Sequence, residues 1–315
     1  MARVATAGEA LGVLYPQERG PVGYRSSLVL RAAGAEMNVA IGLSRLGISS
    51  LFLGAVGADP AGRAIRAALT SEGVDTSHLQ TRSEPTGLLL REWTLAVEPD
   101  VYYFRKDTAF RHWMLDEAAR DDAMQCEWLH LSGIAWMLGE SVTQSVQILS
   151  DRMGVAGKTV SLDLNVRVKL ASIAEWQEKM TAALRTASVV FASTADLLAL
   201  TGTAEVSRLY ESGFMRNSQV WIVKEGSERT CVYQQGRCLG AAETISVPQV
   251  IDVVGAGDGF AAGVIAARLA GEEWAAALKW GNIVGGFAVA SAGDWEGYPD
   301  KKRLMEYLSR SHQDR

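Results

Sequence analysis

The chain has 315 residues, 48% of them apolar, and a formal net charge of −5. That share is enough for a sizeable core, while no run approaches the ~20 consecutive apolar residues of a membrane-spanning helix. The acidic balance speaks against nucleic acid as a main partner. The three cysteines, Cys126, Cys231 and Cys238, show no metal-ligand spacing and suit a reducing, cytoplasmic setting.

From the N-terminus, Met1 to Gly8 holds one charge with no long apolar run behind it, so a signal peptide is not expected. Residues 11–33 carry Gly12, Pro16, Gly20, Pro21 and Gly23 before the apolar Leu28 to Leu30, and read as β-like. Ala33-Gly34-Ala35-Glu36-Met37-Asn38 opens a helix with apolar spacing that ends on Gly47. Gly34 lets something approach the backbone. Asn38, one turn in, can both donate and accept, as a sugar hydroxyl requires. In residues 86–105, Leu88 to Leu95 and Val101 to Phe104 look like paired strands. Together with 11–33 they are expected either to form a small sheet over the substrate that excludes water, or to be surface hairpins.

The rest alternates short apolar runs with helical patterns. Strands are expected at Trp128 to Ser132, Thr159 to Leu164, Val189 to Ala192 and Val220 to Val223. Helices are expected over Ser141 to Met153, with Ser141 as cap, over Ser172 to Leu184, and from Thr194. Such alternation implies an α/β fold with a mostly parallel sheet covered by helices on both faces. Ligands in these sheets bind at the carboxyl ends of the strands, where Asp163, Asn165, Arg167, Ser193, Lys224 and the Gly255 loop all fall. A two-residue turn at Gln235-Gly236 would place Tyr233, not Cys231, opposite Cys238, so no disulfide is expected there. The histidines His78, His112, His130 and His312 are scattered and read as surface or hydrogen-bonded residues. With no repeat, low-complexity tract or linker, residues 1–315 read as a single domain.

The densest chemistry lies in Ile251-Asp252-Val253-Val254-Gly255-Ala256-Gly257-Asp258, which runs straight into an apolar helical pattern from Phe260 to Leu269. Gly-Ala-Gly lets the backbone point several N–H groups one way, and the helix adds its positive end, making a seat for an anion. Asp258 would sit in the first helical turn, either as a base that accepts a proton from a hydroxyl attacking phosphorus or simply as a helix cap. Tyr103-Phe104-Arg105 and Asp163-Leu164-Asn165-Val166-Arg167 each put an arginine near a strand end. Two guanidiniums at one cleft suit a fixed carboxylate on the substrate. Lys224-Glu225-Gly226-Ser227 could run past nucleotide phosphates or be a tight turn. Gly281-Asn282 to Ala292 reads as a small-residue helix followed by the acidic loop Gly293-Asp294-Trp295-Glu296-Gly297.

Taken together, these segments resemble the ribokinase-like sugar kinases of the phosphofructokinase-B (pfkB) group, and within it the 2-keto-3-deoxygluconate branch. The likeness runs nearly end to end. It covers Thr6 to Leu11, Gly34 to Asn38, Val56 to Asp59, Glu72 to Asp75, Thr86-Gly87, Tyr102 to Lys106, Leu131 to Gly133, Asp163 to Arg167, Gly255 to Asp258 and Gly293 to Gly297. The resemblance implies a three-layer α/β/α sandwich with a small β-sheet lid. It further implies transfer of phosphate from ATP, with Mg²⁺ and a monovalent cation such as K⁺, to the terminal hydroxyl of a sugar acid. Asp258 would be the base, and Gly255, Ala256 and Gly257 the anion hole. Gly34, Asn38, Tyr103, Arg105, Arg167 and Asp294 would hold the substrate. Asn165, Ser193, Lys224, Gly226, Gly255, Gly257 and Asn282 would line the ATP side, with Asp196 reaching the metal, if at all, through water. The lid would also be the surface of a homo-oligomer, with neither nucleic acid nor membrane as partner. Departures from the family pattern fall at Leu89, Val166, Val168, Ala171, Asp196, Arg229 and Val253. The rival expectations are a kinase for a neutral sugar such as fructose, and a sugar-binding regulator without turnover.

Overall fold

The structure is a computed structural model that describes residues 2–18, 20–92, 101–226 and 228–310. The first strands in the chain are β1 (Val4–Ala7), β2 (Leu11–Pro16), β3 (Leu28–Ala33), β4 (Ser50–Gly57) and β5 (Leu79–Arg82). They are followed by β6 (Leu88–Arg91), β7 (Val101–Phe104), β8 (Trp128–Ser132) and β9 (Thr159–Asp163). The last are β10 (Val189–Ser193), β11 (Val220–Glu225), β12 (Arg229–Gln234) and β13 (Arg237–Glu243).

The main sheet has nine strands in the order β13-β12-β11-β10-β9-β8-β1-β4-β5. From β11 to β5 every pairing is parallel, and β12 and β13 add an antiparallel edge. Strands β1, β4 and β8 are buried at every position, as expected where helices cover both faces. On one face Trp113, Val146, Trp176, Met180 and Leu197 pack under the helices. On the other, Val39, Leu43, Phe260, Val264, Leu278 and Leu304 do the same. The chain leaves β1 toward β4 on one side and later returns to β8 on the other. The strand order therefore reverses beside β1, and the carboxyl ends there form the natural crevice.

A second sheet, β3-β2-β6-β7, is separate from the first. Its β2 pairs antiparallel with β3 and parallel with β6, and β6 pairs antiparallel with β7. These are the two β-like segments of the sequence, brought together, although the expected strand residues Trp93 to Leu95 lie outside the described residues.

Local details differ from expectation where glycine intervenes. The helix expected from Ser141 runs Glu140–Val155, because Gly139 at φ 143° makes the turn into it, and the Ser141 hydroxyl donates to the Arg111 carbonyl instead of capping. The helix that carries the Phe260 to Leu269 pattern begins at Ala256, which puts Asp258 in its first turn as expected. Ser172 does cap the helix Ile173–Ala183. At the Gln235-Gly236 turn Tyr233 faces Cys238, while Cys231 faces Ala241. His78 and His130 are hydrogen-bonded, to Asp122 and Ser161, whereas His312 lies outside the described residues.

The helices Ala256–Leu269 and Trp274–Val289 approach closely through glycine. A Cβ on Gly263 would fall 2.8 Å from the Gly281 Cα, and one on Gly281 2.7 Å from the Phe260 ring. Gly281→Leu is therefore expected to destabilise the fold by roughly 1–3 kcal/mol or more through overpacking. Urea unfolding reads this directly, and an unchanged midpoint would show that the two helices can part without cost.

Candidate active site

The loop between β13 and the helix Ala256–Leu269 turns on Gly255, at φ 75°. A Cβ there would sit 1.8 Å from the Asp294 carbonyl oxygen, so only glycine lets this loop back onto the 293–297 loop. The Tyr298 hydroxyl donates to the Gly255 carbonyl at 2.5 Å and fixes the same turn. The N–H groups of the first helical turn lack intrahelical acceptors, and with the positive helix end they form an anion seat. Lys224, near the end of β11, brings its ammonium beside that seat. A Cβ on Gly257 would be 3.3 Å from it, and it donates to Asp163 at 3.2 Å.

Asp258 follows in the same turn. Its carboxylate accepts a hydrogen bond from the Asn38 side-chain amide at 2.8 Å, and the same amide reaches Asp294 at 3.5 Å. Asn38 comes from the helix Ala35–Arg45 and is 1% exposed. Burial pushes the Asp258 carboxyl up to about 7, and Asn38 only partly offsets this. Burial raises Asp294 to about 7 as well, with the negative charges of Asp258 and Glu296 adding to the effect. The two half-buried acids share one amide, and such a pair titrates as a unit.

The two arginines differ. Arg105 donates from Nε to the buried Glu9 carboxylate at 2.8 Å, makes a second hydrogen bond to it through Nη2, and stacks 5.1 Å from the Tyr103 ring centroid. Glu9 follows β1, and its carbonyl blocks any Cβ on Gly34, so Gly34, Glu9, Arg105 and Tyr103 form one wall. Arg167 is exposed. It donates to the neighbouring Val166 carbonyl at 3.2 Å and lies near enough to Asp258 and Asp163 to favour their charged forms.

A cavity of about 410 Å³ opens on the far side of the glycine loop. Lys224, Gly226, Gly257 and Asn282 line it together with Val253, joined by Ile245, Val247 and Val250, which the sequence had not singled out. Asn282 holds the wall together, its amide donating to the Glu243 carbonyl at 2.9 Å and to Thr230 at 3.2 Å. Ser193 and Asp196 lie elsewhere, in a capping box at the start of the helix Thr194–Thr201. One oxygen of Asp196 also accepts from the Val166 N–H at 2.8 Å and braces the 165–167 loop, while the other accepts from the Ser193 N–H and hydroxyl. Asn165, buried at φ 43°, makes the bend in that loop. Among the described residues no group of three or more His, Cys, Asp or Glu side chains could hold a metal by itself. Asp163, however, has one buried oxygen without a hydrogen-bond partner, next to Lys224. That is a fitting neighbour for a magnesium ion held mainly by polyphosphate.

Residues 1–301 match the family described as pfkB family carbohydrate kinase, and the chain belongs to that family. It is 33% identical over 312 residues to 2-dehydro-3-deoxygluconokinase of Bacillus subtilis (strain 168), covering 96% of this chain and 94% of the relative. It is 27% identical to a fructokinase of Vibrio alginolyticus, covering 98% and 99%. A crystal structure of a proposed ribokinase II from E. coli, in complex with ATP and Mg²⁺, superposes with a TM-score of 0.88 at 23% identity, covering 98% and 100%. The fold is the ribokinase-like three-layer sandwich, and the chain is a phosphotransferase acting on a sugar hydroxyl.

The Asp258 carboxylate burdens the fold, because its charged form is disfavoured inside the protein. With a folded pKa raised from 3.8 to about 7, the burden is absent below the unfolded value, grows between the two and is complete above the folded value. Asp258→Asn is therefore expected to melt at a higher temperature than the wild type at pH 8, with the gap closing as the pH falls toward 4. Calorimetry at both pH values checks this, and a variant that melts lower at pH 8 would show the carboxylate to be stabilising.

Proposed function

We propose that the chain is an ATP-dependent sugar-acid kinase that phosphorylates the terminal hydroxyl of 2-keto-3-deoxygluconate or of its galactonate epimer. One observation carries the sugar-acid part. Arg167 stands exposed, close enough to the half-buried Asp258 to favour its charged form, and its side chain donates only to a neighbouring carbonyl, so its fork is free for a carboxylate. The 2-dehydro-3-deoxygluconokinase of Bacillus subtilis supports the same reading.

In this proposal Asn38 and Asp294 hold the sugar hydroxyls, and Asp258 takes the proton of the attacking one. Gly34, Tyr103 and Arg105 form the opposite wall. The N–H groups of Gly255, Ala256 and Gly257 receive the transferred phosphoryl, with Lys224 neutralising charge as it develops. The adenine side of ATP fits the apolar cavity between Ile245, Val250 and the small-residue face of the Trp274–Val289 helix. Gly226 and Asn282 line this side, whereas Asn165 and Ser193, outside the cavity lining, enter this proposal only through the family resemblance. Magnesium, when bound, neutralises the polyphosphate. Asp163 is its best-placed protein neighbour, and Asp196 acts at most through water. A monovalent cation such as K⁺ belongs to this proposal only through the family resemblance.

The whole chain would act as one domain, with the small sheet closing over the sugar as a lid. That sheet exposes Leu28, Val29, Leu30, Tyr102 and Phe104, apolar side chains suited to contact with a second copy of the chain. Among the described residues no helix is long and apolar enough to cross a membrane, and a cytoplasmic location fits the free thiols.

A second reading, a kinase for a neutral sugar such as fructose, is favoured by one feature. Arg105 is already paired with Glu9, which leaves one guanidinium rather than two for a substrate carboxylate. A coupled ADP-release assay with Mg-ATP on the two keto-acid epimers, fructose and ribose separates the readings. Turnover confined to the keto-acids is expected, with Arg167→Lys raising KM for them roughly tenfold or more as a fork becomes a point charge. Turnover of fructose alone would replace the sugar-acid reading with the second one.

A further inference from the structure

Arg91 and Asp252 form a buried ion pair that joins the small sheet to the loops of the active site. Arg91 ends β6 and is 5% exposed; Asp252 is 4% exposed and lies in the segment leading to Gly255. The guanidinium donates to both carboxylate oxygens, at 2.5 and 2.6 Å, across 161 residues of sequence.

Asp252 does more than receive Arg91. One oxygen accepts the Val254 N–H at 3.1 Å, shaping the approach to the anion seat. The other accepts the Gly293 N–H at 3.4 Å, next to Asp294, and lies 3.5 Å from the Tyr15 hydroxyl of β2. Arg31 of β3 covers the Tyr15 ring at 4.5 Å and donates to the Ala292 carbonyl at 3.0 Å. Three strands of the small sheet therefore each send a polar side chain into the same two loops, and Asp252 is where the contacts meet. A buried ion pair is a poor device for stability alone, because desolvation offsets much of the attraction, but it fixes geometry well.

We infer that Arg91 and Asp252 are positioning residues for phosphoryl transfer: seated together, they set the register between the small sheet, the Gly255–Gly257 seat and the Asp258–Asp294 pair. Neither touches the reacting atoms. Their effect falls on the placement of the anion seat and the base, hence on the chemical step rather than on substrate affinity. The inference rests on the kinase activity and not on which sugar is used, so the assay takes whichever sugar gives the highest wild-type turnover.

The test compares wild type, Arg91→Ala and Arg91→Lys, with kcat and KM measured separately and melting temperature recorded alongside. Arg91→Ala is expected to lower kcat about 100-fold while KM for ATP and sugar stays within about 3-fold, the signature of a misplaced catalytic loop. Millimolar guanidinium chloride, filling the vacated site beside Asp252, is expected to restore kcat about tenfold in Arg91→Ala and to leave the wild type unchanged. Arg91→Lys keeps the charge and loses the fork, and a kcat loss of about tenfold at unchanged KM is expected. If Arg91→Ala does not fold, Arg91→Lys decides alone. A kcat within about 3-fold of wild type alongside a lowered melting temperature, or a loss confined to KM, would overturn the inference.

Discussion

Everything in this site follows from burying the Asp258 carboxylate within reach of a second acid. Such a placement is unfavourable unless donors surround it, and the fold supplies them from distant segments. The Asn38 amide comes from the Ala35–Arg45 helix, and the positive end of the Ala256–Leu269 helix comes from the other end of the chain. The result is a carboxyl raised to about 7, which lets one aspartate hold or release a proton near neutrality. The same requirement explains Gly255. Bringing Asp294 close enough to share Asn38 forces its carbonyl against the loop, where no side chain fits.

The second constraint is charge balance. Carboxylates crowd the crevice, and each cation has a place among them. Arg105 is spent on Glu9, Arg91 on Asp252, and Lys224 is shared between Asp163 and the phosphate seat. Glu36 is the exception. It is buried against the Ser132 N–H and hydroxyl with no cation, and burial lifts it to about 7, so neutral donors are what it receives. Gly8 makes this possible, since a Cβ there would fall 2.0 Å from the Glu36 carboxylate. Arg167 faces solvent and is not among the ion pairs found in the described residues, which is why it is the side chain proposed to meet the substrate's charge.

Local chemistry was legible in the sequence and long-range pairing was not. The Gly255-to-Asp258 run announces its own turn, because glycine spacing and a following apolar helix are properties of neighbouring residues. The strand-helix alternation likewise implied the parallel sheet and the end at which ligands gather. By contrast, Arg105 looked free because its partner Glu9 lies 96 residues away, and nothing in either segment marks the pair. Asp252 was visible only as part of a motif, and its partner Arg91 sat unremarked in an apolar strand. Asp196 looked like a metal neighbour by its position, but its carboxylate braces the 165–167 loop. Ser141 misled about a helix start because Gly139 made the turn first.

The measurement that tests the central claim most directly is the pH dependence of kcat/KM for transfer from Mg-ATP to the sugar. With Asp258 as a base whose free-enzyme value is raised to about 7 by burial, the rate should climb about tenfold per pH unit up to neutrality and level off above it. A profile flat from about pH 5.5 to 8.5 would mean that the base is already ionised throughout, and would contradict the account of a proton held in the buried acid pair.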